Sequence, residues 1–149
     1  LAAGEMGEVA AMLGRPYSID FEVRHGKGLG RTLGMPTINQ VYPAGFQMPR
    51  LGVYVSRVWL DEHWLPSVTG LGSRPTVNDD ASSITCETFI PDFEGGLYGQ
   101  KVTVELLDYI AASRRFESTS QLRAAVMAWA DEARRWFDRK DRELGKSPL

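Results

Sequence analysis

The sequence has little cysteine, little net charge and no long apolar run. Cys86 is the only cysteine among 149 residues, which excludes a disulfide framework and indicates a reducing, cytoplasmic compartment. We expect this thiol to pack rather than react. With 17 basic and 19 acidic residues the net charge is −2, so we expect no nucleic-acid partner. Because no apolar segment approaches the length of a membrane span, we expect no membrane partner either.

The start of the chain also lacks the basic head of a signal peptide. Residues 1–13 contain Glu5 and Glu8 and carry apolar residues at helical spacing, which predicts a short N-terminal helix. Gly14 ends this helix, and Pro16 follows two residues later. Because the chain starts without Met and within a helical pattern, we expect a fragment of a longer polypeptide.

Short strands are predicted for most of the remaining chain. Apolar alternation predicts strands over residues 17–23, 52–60, 63–69, 84–90 and 101–107. Residues 70–83 are predicted to form a long loop. The capping pair Ser118 and Gln121 opens an amphipathic stripe that predicts a helix to about Arg139. Successive strands without intervening helices indicate an antiparallel sheet or small barrel, closed on one side by this helix.

Glycine, by contrast, is concentrated in residues 25–39. This stretch holds four glycines, two basic residues and the sequence Pro36-Thr37-Ile38-Asn39. Glycine lets main-chain N–H groups approach an anion closely. On an extended backbone Thr37 and Asn39 point to the same side and offer two neutral oxygens. The pattern favours a site for phosphates and a hard metal ion, although glycines alone are more typical of a flexible connection.

The glycine-rich stretch matches neither of two common nucleotide-binding loops. The spacing of a Walker A loop, Gly-x-x-x-x-Gly-Lys-Ser/Thr, is absent from the sequence. The stretch does not open a helix within a βαβ unit either, which excludes a dinucleotide fingerprint. Any phosphate site here therefore has a different architecture.

Two further features allow alternative interpretations. Glu87 lies in the middle of a predicted strand, where glutamate is uncommon. It is either a solvent-facing residue of a half-exposed strand or a general base at the sheet surface. Arg114 and Arg115 precede Phe116 and the helix start, where two cations are unfavourable unless an anion lies near. They form either a solvated loop or part of an anion site.

Several short motifs follow one another along nearly the whole chain. They occupy residues 14–17, 25–34, 36–39, 52–54, 72–76, the strand around Glu87, residues 97–99 and residues 115–118. In this order they resemble riboflavin kinases, in particular the C-terminal kinase module of bacterial bifunctional riboflavin kinase/FAD synthetases.

The resemblance implies a mainly β fold, a six-stranded antiparallel Greek-key barrel with a long C-terminal helix and a short N-terminal helix. It divides the chain into a helix or linker at residues 1–16, a kinase domain at 17–140 and a tail at 141–149. The linker would follow an adenylyltransferase module. The implied reaction transfers the ATP γ-phosphate to the 5′-hydroxyl of riboflavin, giving FMN and ADP, with Mg²⁺ bound alongside ATP.

The resemblance also implies roles for individual residues. Glu87 would be the general base, and Thr37 with Asn39 would hold Mg²⁺ and ATP. The residues implied around the nucleotide are Gly26, Gly28, Gly30, Arg31 and Tyr98. The residues implied over the flavin are Arg114, Arg115 and Phe116.

The chain departs from the family pattern at two positions. Ile38 stands where the family usually has alanine, and we expect it to pack on the side opposite Thr37 and Asn39. Ala111 stands where the family usually has arginine, so Arg114 or Arg115 would substitute for that cation. A non-catalytic flavin- or nucleotide-binding barrel is the alternative function. A different nucleotide donor, or a flavin analogue as acceptor, is also open.

Overall fold

Six strands and one helix make up the described part of the chain. The computed structural model describes residues 6, 16–24, 37–43, 49–75, 82–91, 93, 97–112 and 116–145. The elements are β1 (Tyr17–Ile19), β2 (Thr37–Val41), β3 (Gly52–Leu60), β4 (His63–Pro75), β5 (Ser82–Phe89), β6 (Thr103–Ala111) and α1 (Thr119–Gly145). The expected N-terminal helix lies outside the described residues apart from Met6, which is buried in the main core.

The six strands form one antiparallel sheet in the order β1-β6-β3-β4-β5-β2. The sheet curls into a half-barrel. Isolated bridges join Glu22 to Lys101 and Arg24 to Asn39, so the segment after β1 reaches from the β6 side to β2. Gln40 spans the interior, donating from Nε2 to the carbonyls of Phe21 and Val102. The expected mainly β class with six antiparallel strands and a C-terminal helix is confirmed.

Alternation along the strands distributes three apolar clusters over the two faces of the sheet. The main core lies on the inner face, and its members include Tyr17, Ile19, Ile38, Tyr54, Val58, Leu71, Cys86, Val104 and Leu106. On the outer face, Val53, Val55 and Val68 pack against Ala133 of α1, and Phe89 packs against Val126. The helix therefore covers part of the outer face.

The predicted start of the helix is confirmed by its capping geometry. Ser118 Oγ accepts a hydrogen bond from the Gln121 backbone N–H at 3.2 Å, and Gln121 Oε1 accepts one from the Glu117 N–H at 3.1 Å. These contacts satisfy donors that an uncapped helix leaves open, and such a cap stabilises by about 1 kcal/mol. Among the described residues, no helix has the length and apolarity needed to cross a membrane.

The loop predicted over residues 70–83 is wrong at both ends. Strand β4 continues to Pro75, and β5 begins at Ser82. Gly70 is paired on both sides, with Val53 of β3 and Glu87 of β5. Ladder hydrogen bonds to two neighbouring strands outweigh the low strand propensity of glycine. A local sequence pattern reports that propensity, but it does not report the pairing.

A chain of buried hydroxyls joins the inner faces of β3, β4 and β5. Ser56 Oγ lies 2.7 Å from Ser67 Oγ and accepts from Thr69 Oγ1 at 2.7 Å, and Thr69 Oγ1 lies 2.9 Å from Thr88 Oγ1. All four side chains are buried, so each hydroxyl meets its partner inside the protein. Thr69 and Thr88 are directly opposed across the strands, and the contact fixes the register next to Glu87.

Stability is expected to fall at alkaline pH because the core holds several acids in their neutral form. Burial raises the pKa of the Cys86 thiol from 9.0 to about 12 and that of Tyr54 from 10.0 to about 12. Burial also raises the pKa values of Tyr17 and Tyr42. A raised folded-state pKa gives stability that is complete below the unfolded value and is lost as pH rises above it. The urea concentration at the midpoint of unfolding should therefore be lower at about pH 10.5 than at about pH 8.

Cys86→Ser separates the contribution of the thiol, because serine does not titrate in this range. The decrease in urea midpoint from about pH 8 to about pH 10.5 should be smaller in this variant than in the parent chain. Equal midpoints for the parent at both pH values would contradict the proposed burial effect.

Candidate active site

The two oxygen-bearing residues singled out by the sequence share one face of β2. Thr37 and Asn39 are half-buried on the outer face of the sheet, whereas Ile38 between them is 4% exposed and belongs to the main core. The expectation that Ile38 packs on the opposite side is confirmed. A larger residue at this position therefore leaves the outer face unchanged.

Glu87 lies at the centre of a row of residues that crosses the sheet. It is paired with Asn39 on β2 and with Gly70 on β4, and Val53 on β3 follows in the same row. Arg24 extends the row at the other end, and its backbone N–H donates to the Asn39 carbonyl at 2.7 Å. Directly opposed residues in an antiparallel sheet project from the same face with Cβ atoms about 5 Å apart. The row therefore joins a cation, an amide, a carboxylate and a bare backbone.

The oxygens of Thr37, Asn39 and Glu87 all face the same side of the β2–β5 pair. Thr37 is opposed to Phe89, one row along from Asn39 and Glu87. Within the described ranges, no three His, Cys, Asp or Glu side chains cluster in a way that could hold a metal ion. A hydroxyl, an amide and one carboxylate are nevertheless the hard oxygen ligands that suit Mg²⁺ when a phosphate supplies further charge.

A pocket of about 170 Å³ opens on the other side of Glu87, between the outer face and α1. Its lining residues are Gly52, Val53, Gly70, Leu71, Gly72, Thr85, Glu87, Phe89, Phe116, Leu122, Val126 and Trp129. Phe116 and Trp129 meet edge to face, with ring centroids 6.1 Å apart at 69°. The pocket thus has a carboxylate at one side and an aromatic wall at the other, which suits a ligand with an apolar ring and a hydroxyl.

The glycines that line this pocket are present for different reasons. Gly52 has φ +150°, and a Cβ there would lie 2.5 Å from the Ala111 carbonyl oxygen, so the backbone requires glycine. Among the described residues, the only atom that a Cβ on Gly70 would approach is the Glu87 carbonyl oxygen, at 4.0 Å. The described part of the fold therefore leaves room for a side chain at position 70 and does not itself require glycine there.

Among the described residues, three predicted site residues do not line this pocket: Thr37, Asn39 and Tyr98. Tyr98 is exposed on a turn whose Gly99 N–H donates to the Val23 carbonyl at 2.9 Å, one residue before Arg24. It does not line the pocket. The other predicted residues lie outside the described part of the chain, and their roles stay predictions: Gly26, Gly28, Gly30, Arg31, Arg114 and Arg115.

Sequence reasoning missed three residues of the site. Trp129 lies at helical spacing in the amphipathic stripe that follows Ser118, and this spacing alone does not indicate a pocket. Gly70 falls within the loop predicted over residues 70–83. The available signal was its spacing of two from Gly72, which places both glycines on one face of a strand. Arg24 stands directly before the glycine-rich stretch, and that adjacency was the available signal.

Arg50 places a cation near the end of β6, where Ala111 stands at the position of the family's usual arginine. Its guanidinium carbon lies 4.5 Å from the centroid of the Tyr109 ring, a cation–π contact. Tyr109 precedes Ala111 by two residues on β6. Arg50 is therefore a described cation near this position, in addition to the two arginines named from the sequence.

Comparison with known proteins gives consistent matches over most of the chain. A family model described as riboflavin kinase (flavokinase) matches residues 13–137. The bifunctional riboflavin kinase/FMN adenylyltransferase of Pseudomonas fluorescens is 37% identical over 134 residues, covering 90% of this chain and 42% of that protein. Its counterpart from Escherichia coli K12 is 36% identical over 139 residues, covering 92% and 43%.

Among solved structures, a protein from Streptococcus pneumoniae described as a macrolide-efflux protein superposes with a TM-score of 0.81 and 32% sequence identity. The match covers 91% of this chain and 44% of that one. The chain therefore spans less than half the length of each of these relatives.

Proposed function

Because the chain belongs to the riboflavin kinase family, we propose that it transfers the γ-phosphate of ATP to the 5′-hydroxyl of riboflavin, giving FMN and ADP. The observation that carries this proposal is the position of Glu87. It separates the oxygens of Thr37 and Asn39 on β2 from the aromatic-walled pocket under α1. A two-substrate phosphoryl transfer needs such an arrangement, with donor and acceptor meeting at one carboxylate.

The pocket receives the acceptor in this proposal. The isoalloxazine ring of riboflavin lies against Phe116 and Trp129, where an extended apolar ring finds an aromatic wall. The ribityl chain extends from there towards Glu87. The carboxylate accepts the 5′-hydroxyl proton as the oxygen bonds to the γ-phosphorus and the bond from that phosphorus to the ADP oxygen breaks.

The donor lies over the β2 edge. Thr37 and Asn39 offer oxygens for Mg²⁺, and the half-buried Glu87 is the nearby carboxylate in the described region. Mg²⁺ bound with ATP would neutralise charge on the phosphate oxygens. Arg24, bonded to Asn39 through its backbone, places a cation on the same face. These residues position the phosphates for in-line attack from the pocket side.

The remaining roles in the proposal rest on the family resemblance. Gly26, Gly28, Gly30 and Arg31 cover the nucleotide, with Tyr98 beside it. Arg114 and Arg115 belong to the segment over the flavin, next to Phe116. Among them, Tyr98 and Phe116 lie within the described residues, where Tyr98 is exposed and Phe116 lines the pocket.

Incubation of the purified chain with riboflavin and MgATP tests the activity. We expect FMN and ADP to form in equal amounts, detected by chromatography, and the reaction to stop when EDTA removes the metal. A folded chain that binds riboflavin but forms no FMN would instead support the non-catalytic flavin-binding module. Comparing ATP with other nucleoside triphosphates, and riboflavin with its analogues, identifies the preferred donor and acceptor.

We also propose that the kinase operates beside an adenylyltransferase module in the full-length protein. The support is that both curated relatives carry the two activities in their names and that this chain matches less than half of each. The substrates ATP and riboflavin support a cytoplasmic location. Mass spectrometry of the native gene product is the test, and a native polypeptide of 16.6 kDa would contradict the bifunctional arrangement.

A further inference from the structure

A buried glutamine holds the bridging segment, residues 21–24, which leads from the β6 side of the sheet to β2. Gln40 follows Asn39 on β2, and its side chain is fully buried on the inner face. Its Nε2 donates to the Phe21 carbonyl at 2.8 Å and to the Val102 carbonyl at 2.9 Å. One side chain therefore connects β2 with the bridging segment and with the residue before β6.

The orientation of the Gln40 amide follows from its partners. Two carbonyl oxygens can accept hydrogen bonds only from the NH2 group, so the amide nitrogen must face them. Within the described residues, Gln40 Oε1 is buried and has no hydrogen-bond partner. A buried acceptor without a donor destabilises the fold, and an apolar side chain would fill the space without that cost. The two contacts to carbonyls are therefore the property that glutamine adds here.

Backbone hydrogen bonds hold the bridging segment on both sides. The Arg24 N–H donates to the Asn39 carbonyl at 2.7 Å, and the Val23 N–H donates to the Gln100 carbonyl at 2.8 Å. The Val23 carbonyl in turn accepts from the Gly99 N–H at 2.9 Å. The segment therefore connects the edge strand β2 with the turn around Gly99.

Three features that the proposed function places at the ATP end of the site meet at this segment. Asn39 is bonded to Arg24, and the glycine-rich stretch begins at the next position in the sequence. Tyr98 lies on the turn that is bonded to Val23. Gln40 contacts the first residue of the same segment from the inside of the barrel.

We propose that Gln40 is a positioning residue for ATP, since its two hydrogen bonds set the place of the bridging segment relative to β2. This inference rests on the proposed function, because it concerns the donor end of the same site. Gln40 does not itself touch the nucleotide, because its side chain lies on the face of β2 opposite Thr37 and Asn39. Without these hydrogen bonds, the bridging segment opens more often and holds Arg24 less firmly beside Asn39.

Gln40→Met tests this role, because methionine has a similar length and offers no donor to either carbonyl. We expect the KM for ATP to rise about tenfold, with kcat within about threefold of the parent, because donor binding is weakened and proton transfer is unaltered. MgADP affinity, measured by calorimetry, should fall by about tenfold, whereas riboflavin affinity, measured by fluorescence quenching, should stay within about twofold.

Hydrogen exchange reports the same change without any turnover. In Gln40→Met, the backbone amides of Val23 and Arg24 should exchange at least about fivefold faster, relative to the ladder amides of β3, than they do in the parent. A merely structural role would accelerate both sets of amides together.

Ser56→Ala is the matched control. Ser56 is fully buried on β3, and its Oγ makes two hydrogen bonds, with Ser67 and Thr69. Its replacement also removes two buried hydrogen bonds, but away from the bridging segment. We expect a lower urea midpoint and an unchanged KM for ATP. A rise in KM equal to that in Gln40→Met would show that both variants act through general stability, and it would overturn the proposal.

Two further results with Gln40→Met would overturn the proposal: a KM for ATP within about twofold of the parent, or equal losses of MgADP and riboflavin affinity. If this variant does not fold, exchange of the Gln40 side-chain amide hydrogens in the parent chain decides. MgADP should slow this exchange by at least about threefold, and riboflavin should leave it unchanged. Equal rates with and without MgADP would refute the positioning role.

The MgADP measurements also separate this inference from the proposed function. A parent chain that forms no FMN, yet loses MgADP affinity in Gln40→Met, is a nucleotide-binding module in which Gln40 has the proposed role. A chain that forms FMN and keeps its KM for ATP in Gln40→Met is the proposed kinase without this role for Gln40.

Discussion

Replacing Glu87 with glutamine is expected to lower the rate of FMN formation by about 10²- to 10⁴-fold, the usual contribution of a general base. Glutamine has the same size and keeps the cross-strand position between Asn39 and Gly70. It cannot accept the proton of the 5′-hydroxyl. Affinities for riboflavin and for MgADP should stay within about threefold of the parent, because the loss concerns the transition state. Steady-state kinetics with both substrates and direct binding measurements provide the check.

Glu105→Gln is the matched control for this variant. Glu105 lies on β6, is ion-paired with Arg57 and does not line the pocket. Its replacement removes an ion pair on the far side of the sheet from β5 and should leave turnover unchanged in the folded variant. If Glu87→Gln retains the activity of the parent, Glu87 is the solvent-facing strand residue that the sequence left as an alternative, and another group takes the proton.

The sequence predicted those parts of the fold that local patterns encode. Strand β3 spans the predicted residues 52–60, since alternation places Tyr54 and Val58 inside and Val53 and Val55 outside. The helix begins after Ser118 because its cap is a contact between near neighbours in sequence. In each case the decisive interactions join residues that are close along the chain.

Non-local pairing accounts for what the sequence did not predict. Gly70 looked like part of a loop because its strand conformation depends on partners about seventeen residues away on either side, at Val53 and Glu87. Trp129 looked like a core residue because its helical spacing does not reveal that β4 is bare beneath it. The contact between Arg24 and Asn39 depends on the curl of the sheet, which no window of sequence reports.

The adjacency of Asn39 and Glu87 was also beyond local reasoning, although both residues were identified from the sequence. They are separated by nearly fifty positions and meet because β2 pairs with β5 at the edge of the sheet. The resemblance supplied their roles, and the register supplies a physical reason for those roles. In the proposed reaction, the residue that holds the donor and the residue that activates the acceptor therefore lie side by side.

Combining Thr37→Val with Asn39→Leu is expected to lower kcat/KM for ATP by about 10³-fold, since two groups that position the phosphates are lost together. Each replacement keeps approximate side-chain size on the outer face of β2 and removes the oxygen. Riboflavin binding should stay within about twofold, because neither residue lines the acceptor pocket. Kinetics with varied MgATP, together with riboflavin fluorescence titrations, separate the two ends of the site.

Thr103→Val controls for the loss of a strand hydroxyl elsewhere. Thr103 begins β6 opposite Trp59, and its side chain does not line the pocket. Its replacement should leave both kinetic constants unchanged. A double variant that keeps kcat/KM for ATP within tenfold of the parent would show that the phosphates are held by other groups. A double variant that loses riboflavin binding to the same extent as ATP use would instead show that β2 supports the acceptor pocket, since the two ends of the site would then not be separable at Glu87.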